Sequence, residues 1–470
     1  MERPLATNAP SASALDQLLD KARSMSQGDA VRDGIVGDIY KITHEICDAS
    51  VRYEDRAKLA STSRLDRILT SKLWGFPIML AMLAVVFWLT IAGANVPSAM
   101  LADMFGFIEG YITMFFQAIH APDWLHGLLV LGLYRGSAWV ISVMLPPMAI
   151  FFPTFALLEN FGYLPRVAFN MDRLFKRAGG HGKQALTMSM GFGCNAAAIM
   201  STRIIESPRE RMLAIVTNNF VPCNGRWPTL ILLASLFMTV SVSGGLQSFA
   251  TAGVVLAMVM FGIVVTFTVS WVLSKTLLRG VPTHYTLELP PYRRPQFWKT
   301  VLLASRDKSW SVLKRAVIVA APAGVITWIL GNVFVGGDSV LNHMAGFFDP
   351  FGQLLGMDGF IIMAFLLGLP ANEIVLPILL MGYLSSGAMV DADGIDNIKE
   401  IFVNHGWTWL TALNMMLFSL LHYPCGTTLF NIYKETHSKK WTILSALIPL
   451  GIAIGVTFIT AQLARAFGWV

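Results

Sequence analysis

GFGCN at Gly191–Asn195 and GLPAN at Gly368–Asn372 superpose position by position, and each interrupts an apolar run that enters a bilayer without crossing it. The first run, 184–200, is too short to span and is followed by Arg203, Arg209 and Arg211. The second, 360–383, is broken by Pro370 and Pro377 and has acidic loops on both sides. Each is followed by a predicted crossing helix that contains Pro-Cys, at Pro222-Cys223 and at Pro424-Cys425. Matching interrupted segments in two halves are the best sequence pointer to a transporter site near the midplane. Irregular backbone is tolerated at that depth only where it lines a cavity or is packed in protein. The expected fold is therefore an all-α polytopic membrane protein with two inverted repeats of broken, re-entrant helices.

Composition leads to the same class. Hydrophobic residues make up 54% of the chain and charged residues 14%, with a mean hydropathy of +0.57; ordinary globular proteins carry roughly 25% charge. Of the 64 charged side chains, 22 fall in the first 72 residues, so the remainder is poorer still. This excludes a soluble enzyme, a disulfide scaffold and a nucleic-acid-binding domain, and the net charge of +6 reads as loops facing anionic lipid. Four scattered cysteines (Cys47, Cys194, Cys223, Cys425) make no disulfide framework. With no apolar segment before residue 73 there is no secretory signal.

Loop charges set the spans and their sense. Residues 1–72 read as a cytosolic helical region with a disordered start. Leu73–Gly93 is a clean span, and no Lys or Arg occurs between Lys72 and Arg135. The positive-inside rule then puts the N-terminus in the cytoplasm and the 94–126 loop outside. Gly127–Asn160 is long for one helix and short for two, and Pro146, Pro147 and Pro153 predict a break or kink. Crossings follow at 212–240 and 247–274, completing a first membrane half over 73–274. A strongly basic cytosolic loop occupies 275–315, and a second half, 316–470, has spans at 316–335, 407–430 and 441–466. Asp391, Asp393 and Asp396 make the 384–406 loop acidic and external, where they could gather cations or simply be solvated.

At this point the chain resembles a known family. GFGCNAAAIMSTRIIESPRERMLAIVTNNFVPCNGRWP (Gly191–Pro228) is similar to the first gate motif of the ferrous iron transport protein B family. GLPANEIVLPI (Gly368–Ile378) and YPCGTTLFNIYKETHSKKW (Tyr423–Trp441) resemble its second gate motif. LELPPYRRP (Leu287–Pro295) resembles the loop between its halves, and Arg64–Thr90 its approach to the first span. The resemblance implies a cell-membrane permease with two gate-type repeats that alternately expose a midplane site to Fe²⁺ as substrate. The family carries a GTPase ahead of these spans; about 70 residues are too few for one, which implies a cytosolic GTPase acting in trans. Gly179-Gly-His-Gly-Lys183-Gln lacks the P-loop spacing and its Ser/Thr, so no nucleotide site is expected. Asn372 stands where many members have Lys.

Ferrous iron accepts thiolate, imidazole and carboxylate ligands. Cys194, Cys223 and Cys425 fall in the interrupted segments or their partner helices and are the candidate thiol ligands; the alternative is that they are small buried core residues. Glu373, stranded in an apolar run, is a candidate metal ligand or proton-coupled site, or else one half of an ion pair with Arg226 or Arg135. Asn195 and Asn372 either coordinate the cargo or cap half-helices. His422 either joins Cys425 as a ligand or is a hydrogen-bonded helix histidine. Gly191, Gly193, Pro222 and Pro424 shape the path. Glu206 reads as a surface or gate salt bridge, and Met190, Met200, Met415 and Met416 as packing. Two further readings stay open: an H⁺- or Na⁺-coupled transporter of an organic solute such as a nucleoside, and a non-transporting membrane partner of a GTPase. Membrane lipid and a second copy of the chain are the other expected partners.

Overall fold

The structure, a computed structural model, describes residues 28–50, 65–71, 73–239, 245–280, 292, 296–390 and 398–468. The chain divides into two units, Met1–Arg64 and Leu65–Val470. In the first, the described element is a helix over Gly28–Ser50. The expected disordered start, the acidic residues Asp391, Asp393 and Asp396, and all of Leu287–Pro295 except Tyr292 lie outside the described residues.

The second unit is helical, apart from a minimal antiparallel pair, Phe334–Val335 with Asp338–Ser339. Its turn is Gly336-Gly337, both at positive φ, as a tight two-residue hairpin loop requires. Helix dominates because backbone polar groups in hydrocarbon must be satisfied within their own segment. Among the described residues, five helical runs are long and apolar enough to cross a membrane: Gly75–Ala118, Asp123–Phe161, Phe249–Lys275, Phe297–Asn332 and Lys439–Ala466. A sixth arises if Val340–Leu354 and Gly359–Leu367, bent at 111°, count as one. The protein is a multi-pass, all-α membrane protein.

Three expectations need correction. The 94–126 segment is not a loop over most of its length, because the first helix continues to Ala118. Its 44 residues run about 66 Å, roughly twice the hydrocarbon thickness. Asp103 and Glu109 lie on this helix, and Glu109 is an interhelical partner of Arg135. The three prolines expected to break 127–160 sit inside one helix, Arg135–Phe161, which follows directly on a π-helical stretch, Gly127–Tyr134. The Pro-Cys pairs are not inside crossing helices either, since each lies in a non-helical break. The first lies between the 3₁₀ turn Asn218–Phe220 and the turn Asn224–Arg226, and the second between helices Trp409–Leu421 and Gly426–Thr436.

Four broken segments therefore meet in the unit's main core. They are Phe192–Cys194, Val221–Cys223, Gly368–Ala371 and His422–Cys425. Around them pack Phe151, Phe155, Phe220, Ile374, Phe418 and Leu421, all buried. Local capping holds the flanking helices in place. Ser207 caps Pro208–Thr217, with proline at its first position, and Asp358 caps Gly359–Leu367 through a 2.7 Å bond from the Ile361 amide.

Candidate functional site

The two superposed pentapeptides share their backbone angles at the fourth position. Cys194 precedes helix Asn195–Ser201 at φ −154°, ψ 120°, and Ala371 precedes the turn Asn372–Ile374 at φ −152°, ψ 125°. Cys223 and Cys425 likewise stand, extended, immediately before helical turns. Breaks pair within each half. The Asn224 amide donates to Gly193 O at 3.2 Å, and the Gly426 amide to Leu369 O at 2.6 Å. These bonds satisfy backbone groups that the missing helix would otherwise have paired.

All three predicted thiols are free and in this region. Cys194 and Cys223 are buried and Cys425 is half-buried. Cys223 Sγ accepts from Asn372 Nδ2 at 3.9 Å, a contact between the halves, and Cys425 Sγ lies 3.2 Å from Thr428 Oγ1. Neither asparagine caps a helix. Each is the first helical residue, and the cap position belongs to Cys194 or Ala371, neither with a side-chain cap bond. Asn195 Oδ1 instead receives Asn218 Nδ2 at 3.4 Å, while Asn218 Oδ1 and Asn372 Oδ1 are buried acceptors without a partner among the described residues.

Glu373 forms no ion pair among the described residues. Arg135 pairs with Glu109, and Arg226 turns to backbone carbonyls. The Glu373 carboxylate rests on Gly225, where an added Cβ would fall 2.3 Å from Oε1. Gly191 and Gly193 allow equally close approach: a Cβ would fall 2.9 Å from Asn218 Oδ1 at the first and 2.3 Å from the Phe151 ring at the second. Pro222 and Pro424 are buried in the breaks. His422 is the hydrogen-bonded histidine of the two alternatives. Its Nδ1 lies 3.0 Å from Phe418 O and 2.9 Å from Ser419 O, and the ring packs between Phe365 and Phe418.

Among the described residues, no three His, Cys, Asp or Glu side chains are grouped closely enough to hold a metal ion. The predicted ligands thus share one buried region without forming a closed cage. Met190, Met415 and Met416 are core residues, Met200 contacts Arg315, and Glu206 pairs with Lys183 at 3.1 Å, 74% exposed, as the surface reading expected.

Sequence reasoning gave Arg226 no role of its own. The residue is 1% exposed and ties Asn219 to Leu420, His422 and Tyr423. An arginine inside an apolar run was the available signal. Away from the breaks, two charge clusters hold segments together. Arg203 and Arg211 share Glu435, and Arg166 and Tyr292 share Asp66. Burial works against ionisation of both carboxyls, but the arginines, helped at Asp66 by the tyrosine hydroxyl, outweigh it and hold both below their ordinary values. A separate apolar cavity of about 1050 Å³ opens among Met79–Val86, Tyr163–Phe175 and Gln247–Phe267, beside the breaks.

Comparison with known proteins bears on this arrangement. The Gate family model, described as "Nucleoside recognition", matches residues 141–237 and 313–439, which contain all four breaks. "Ferrous iron transport protein B C terminus" matches 255–306. "Fe(2+) transporter FeoB" of Staphylococcus aureus is 33% identical over 426 residues, covering 89% of this chain and 61% of that protein. The protein of the same name from Methanocaldococcus jannaschii is 27% identical over 450 residues, 92% of this chain and 63% of its own length. A Porphyromonas gingivalis relative, described as an "Fe(2+) transport protein A/Fe(2+) transporter FeoB fusion protein", is 28% identical over 86% of this chain. No solved structure matches. The chain spans about three fifths of the length of the curated relatives it matches. The chain belongs to the ferrous iron transport protein B family and corresponds to its gate and C-terminal parts.

Proposed function

We propose that this chain is a permease for ferrous iron, or a related divalent metal, across the cytoplasmic membrane. Its two gate repeats, inverted relative to each other, alternately expose a midplane site at Cys194, Cys223, Cys425 and Glu373. The observation that carries the reading is the placement of three free thiols at three of four buried helix breaks. The relatives' printed names supply the metal. An open set of thiols suits a carrier, because a closed thiolate cage would hold the ion too tightly for turnover. Asn195 and Asn372 offer amide oxygens beside the thiols, and Gly191, Gly193, Pro222, Pro424 and His422 shape the path. The N-terminus faces the cytoplasm on the loop-charge argument.

Thermodynamics does not require nucleotide hydrolysis. An inside-negative potential contributes about 2.3 kcal/mol per charge per 100 mV, hence about 4.6 kcal/mol for a divalent cation. That supports more than about thousandfold accumulation at equilibrium.

The test is uptake of Fe²⁺ by anaerobic, reduced proteoliposomes of the full chain under an imposed inside-negative potential. Potential-driven uptake is expected, and its absence in protein that is folded and correctly inserted refutes the reading. The Gate description favours one competitor, an organic solute such as a nucleoside. Cys194→Ser with Cys223→Ser separates the two: an iron path is impaired, whereas a solute path is left largely intact.

A further inference from the structure

Arg226 is the most deeply buried charge near the breaks, at 1% exposure, and carboxylates do not hold it. Nη1 donates to Asn219 O at 2.8 Å and Leu420 O at 2.9 Å. Nη2 donates to Asn219 Oδ1 at 3.3 Å, His422 O at 3.3 Å and Tyr423 O at 3.4 Å. Nε has no partner. Two of the five acceptors, His422 O and Tyr423 O, are carbonyls of the second Pro-Cys break, and Leu420 O belongs to the last turn of the helix before it; the other two come from Asn219, just before the first. Asn219 reaches the same break from its own side chain, its Nδ2 donating to His422 O at 2.6 Å.

A ring of backbone and amide oxygens around one desolvated positive charge is how proteins hold inorganic cations that have shed water. An arginine placed only for stability would gain more from a carboxylate. One is nearby, since Glu373 rests on the adjacent Gly225, and Arg226 does not pair with it. Where the helix is unwound, at His422 and Tyr423, the freed carbonyls instead meet the guanidinium, and such backbone is tolerated at this depth only where it lines a cavity or is packed in protein.

We propose that the Arg226 guanidinium is a tethered cation that plugs the permeation path. It fills an oxygen cage shared by the two halves, excludes free cations from that cage, and must withdraw for cargo to pass. The proposal rests on the permease reading for its physiological role, but the plug itself is testable without iron.

The experiment compares the full-length wild type with Arg226→Ala in potassium-loaded liposomes, following K⁺ efflux into K⁺-free medium. The alanine variant is expected to leak on the order of ten times faster than wild type. Millimolar guanidinium chloride should close the leak by refilling the cage, while leaving wild type unchanged. A merely structural arginine does not produce a leak that this one small cation closes. A folded, monodisperse Arg226→Ala protein as tight as wild type, or one whose leak ignores guanidinium, overturns the proposal. If the alanine variant fails to fold, Arg226→Lys decides: an ammonium with three donors leaves part of the cage empty. A smaller, guanidinium-sensitive leak is then expected, and its absence in folded protein refutes the plug. Failure of wild type to carry Fe²⁺ would count against the permease reading alone and leave this comparison standing.

Discussion

Gly193→Ala probes how tightly the first break is built. The new Cβ would fall 2.3 Å from Phe151 Cε1 and 2.4 Å from Cδ1, so the ring must move by about 1 Å to reach ordinary contact. It has nowhere to go. Phe151 is 2% exposed and stacks on Phe155 at 5.6 Å, and the void beside it measures about 10 Å³, near the minimum for one water. Overpacking a closed core costs about 1–3 kcal/mol. If the break yields instead, the Asn224–Gly193 bond of 3.2 Å goes as well, adding about 1 kcal/mol. A stability loss of about 2–4 kcal/mol is expected, measured by reversible denaturant unfolding in detergent. The control is Phe151→Leu, which makes room. In the double variant most of the loss should disappear, with a coupling energy of about 1–3 kcal/mol. Strict additivity of the two substitutions, or a neutral Gly193→Ala, would refute the packing argument.

Further consequences concern the carboxylates. In Gly225→Ala the Cβ would meet the Glu373 carboxylate at 2.3 Å. The end of that side chain can turn aside, so the fold should survive while initial Fe²⁺ uptake falls about tenfold or more through misplacement of the group; unchanged uptake would remove Glu373 from the path. Glu435→Gln should weaken the tie to Arg203 and Arg211, which are 64% and 31% exposed, by less than about 1 kcal/mol at neutral pH. Asp66 and Glu435 are both held below their ordinary values. Their stabilisation is therefore complete above the ordinary carboxylate range and fades as pH falls through the lowered values. Acid titration of stability should show a shallower limb between about pH 5 and about pH 2 in Glu435→Gln than in wild type; superposable limbs would show that the cluster contributes nothing.

The breaks were legible because glycine and proline interrupt apolar runs, and the superposition of GFGCN on GLPAN extends to the backbone angles at Cys194 and Ala371. Loop charges were less reliable, because an acidic residue in a charge-poor segment has two meanings. Glu109 falls in the 94–126 stretch expected as an external loop, yet it sits on a continuing helix and pairs with Arg135. Of the two readings of the asparagines, capping fails by one residue, since the cap position falls to the residue before each of them. The partners of Arg226 were harder to read for another reason. Three of its five acceptors are carbonyls 194 to 197 positions away, and a carbonyl has no side-chain identity for a sequence to display. The gap between Pro-Cys in a helix and Pro-Cys in a break is similar in kind, because proline is compatible with both and only tertiary packing selects one. Pro146, Pro147 and Pro153 remained helical, whereas Pro222 and Pro424 did not.

The central claim is that a transition-metal ion passes between the thiol-bearing breaks. It is tested most directly by anomalous diffraction at the iron edge from crystals of the full chain grown anaerobically with Fe²⁺. A peak within bonding distance of at least two among Cys194 Sγ, Cys223 Sγ, Cys425 Sγ and the Glu373 carboxylate is the expected result, and the peak should vanish in the Cys194→Ser, Cys223→Ser variant. Iron bound elsewhere in the membrane region, with these four groups left as they stand, would contradict it.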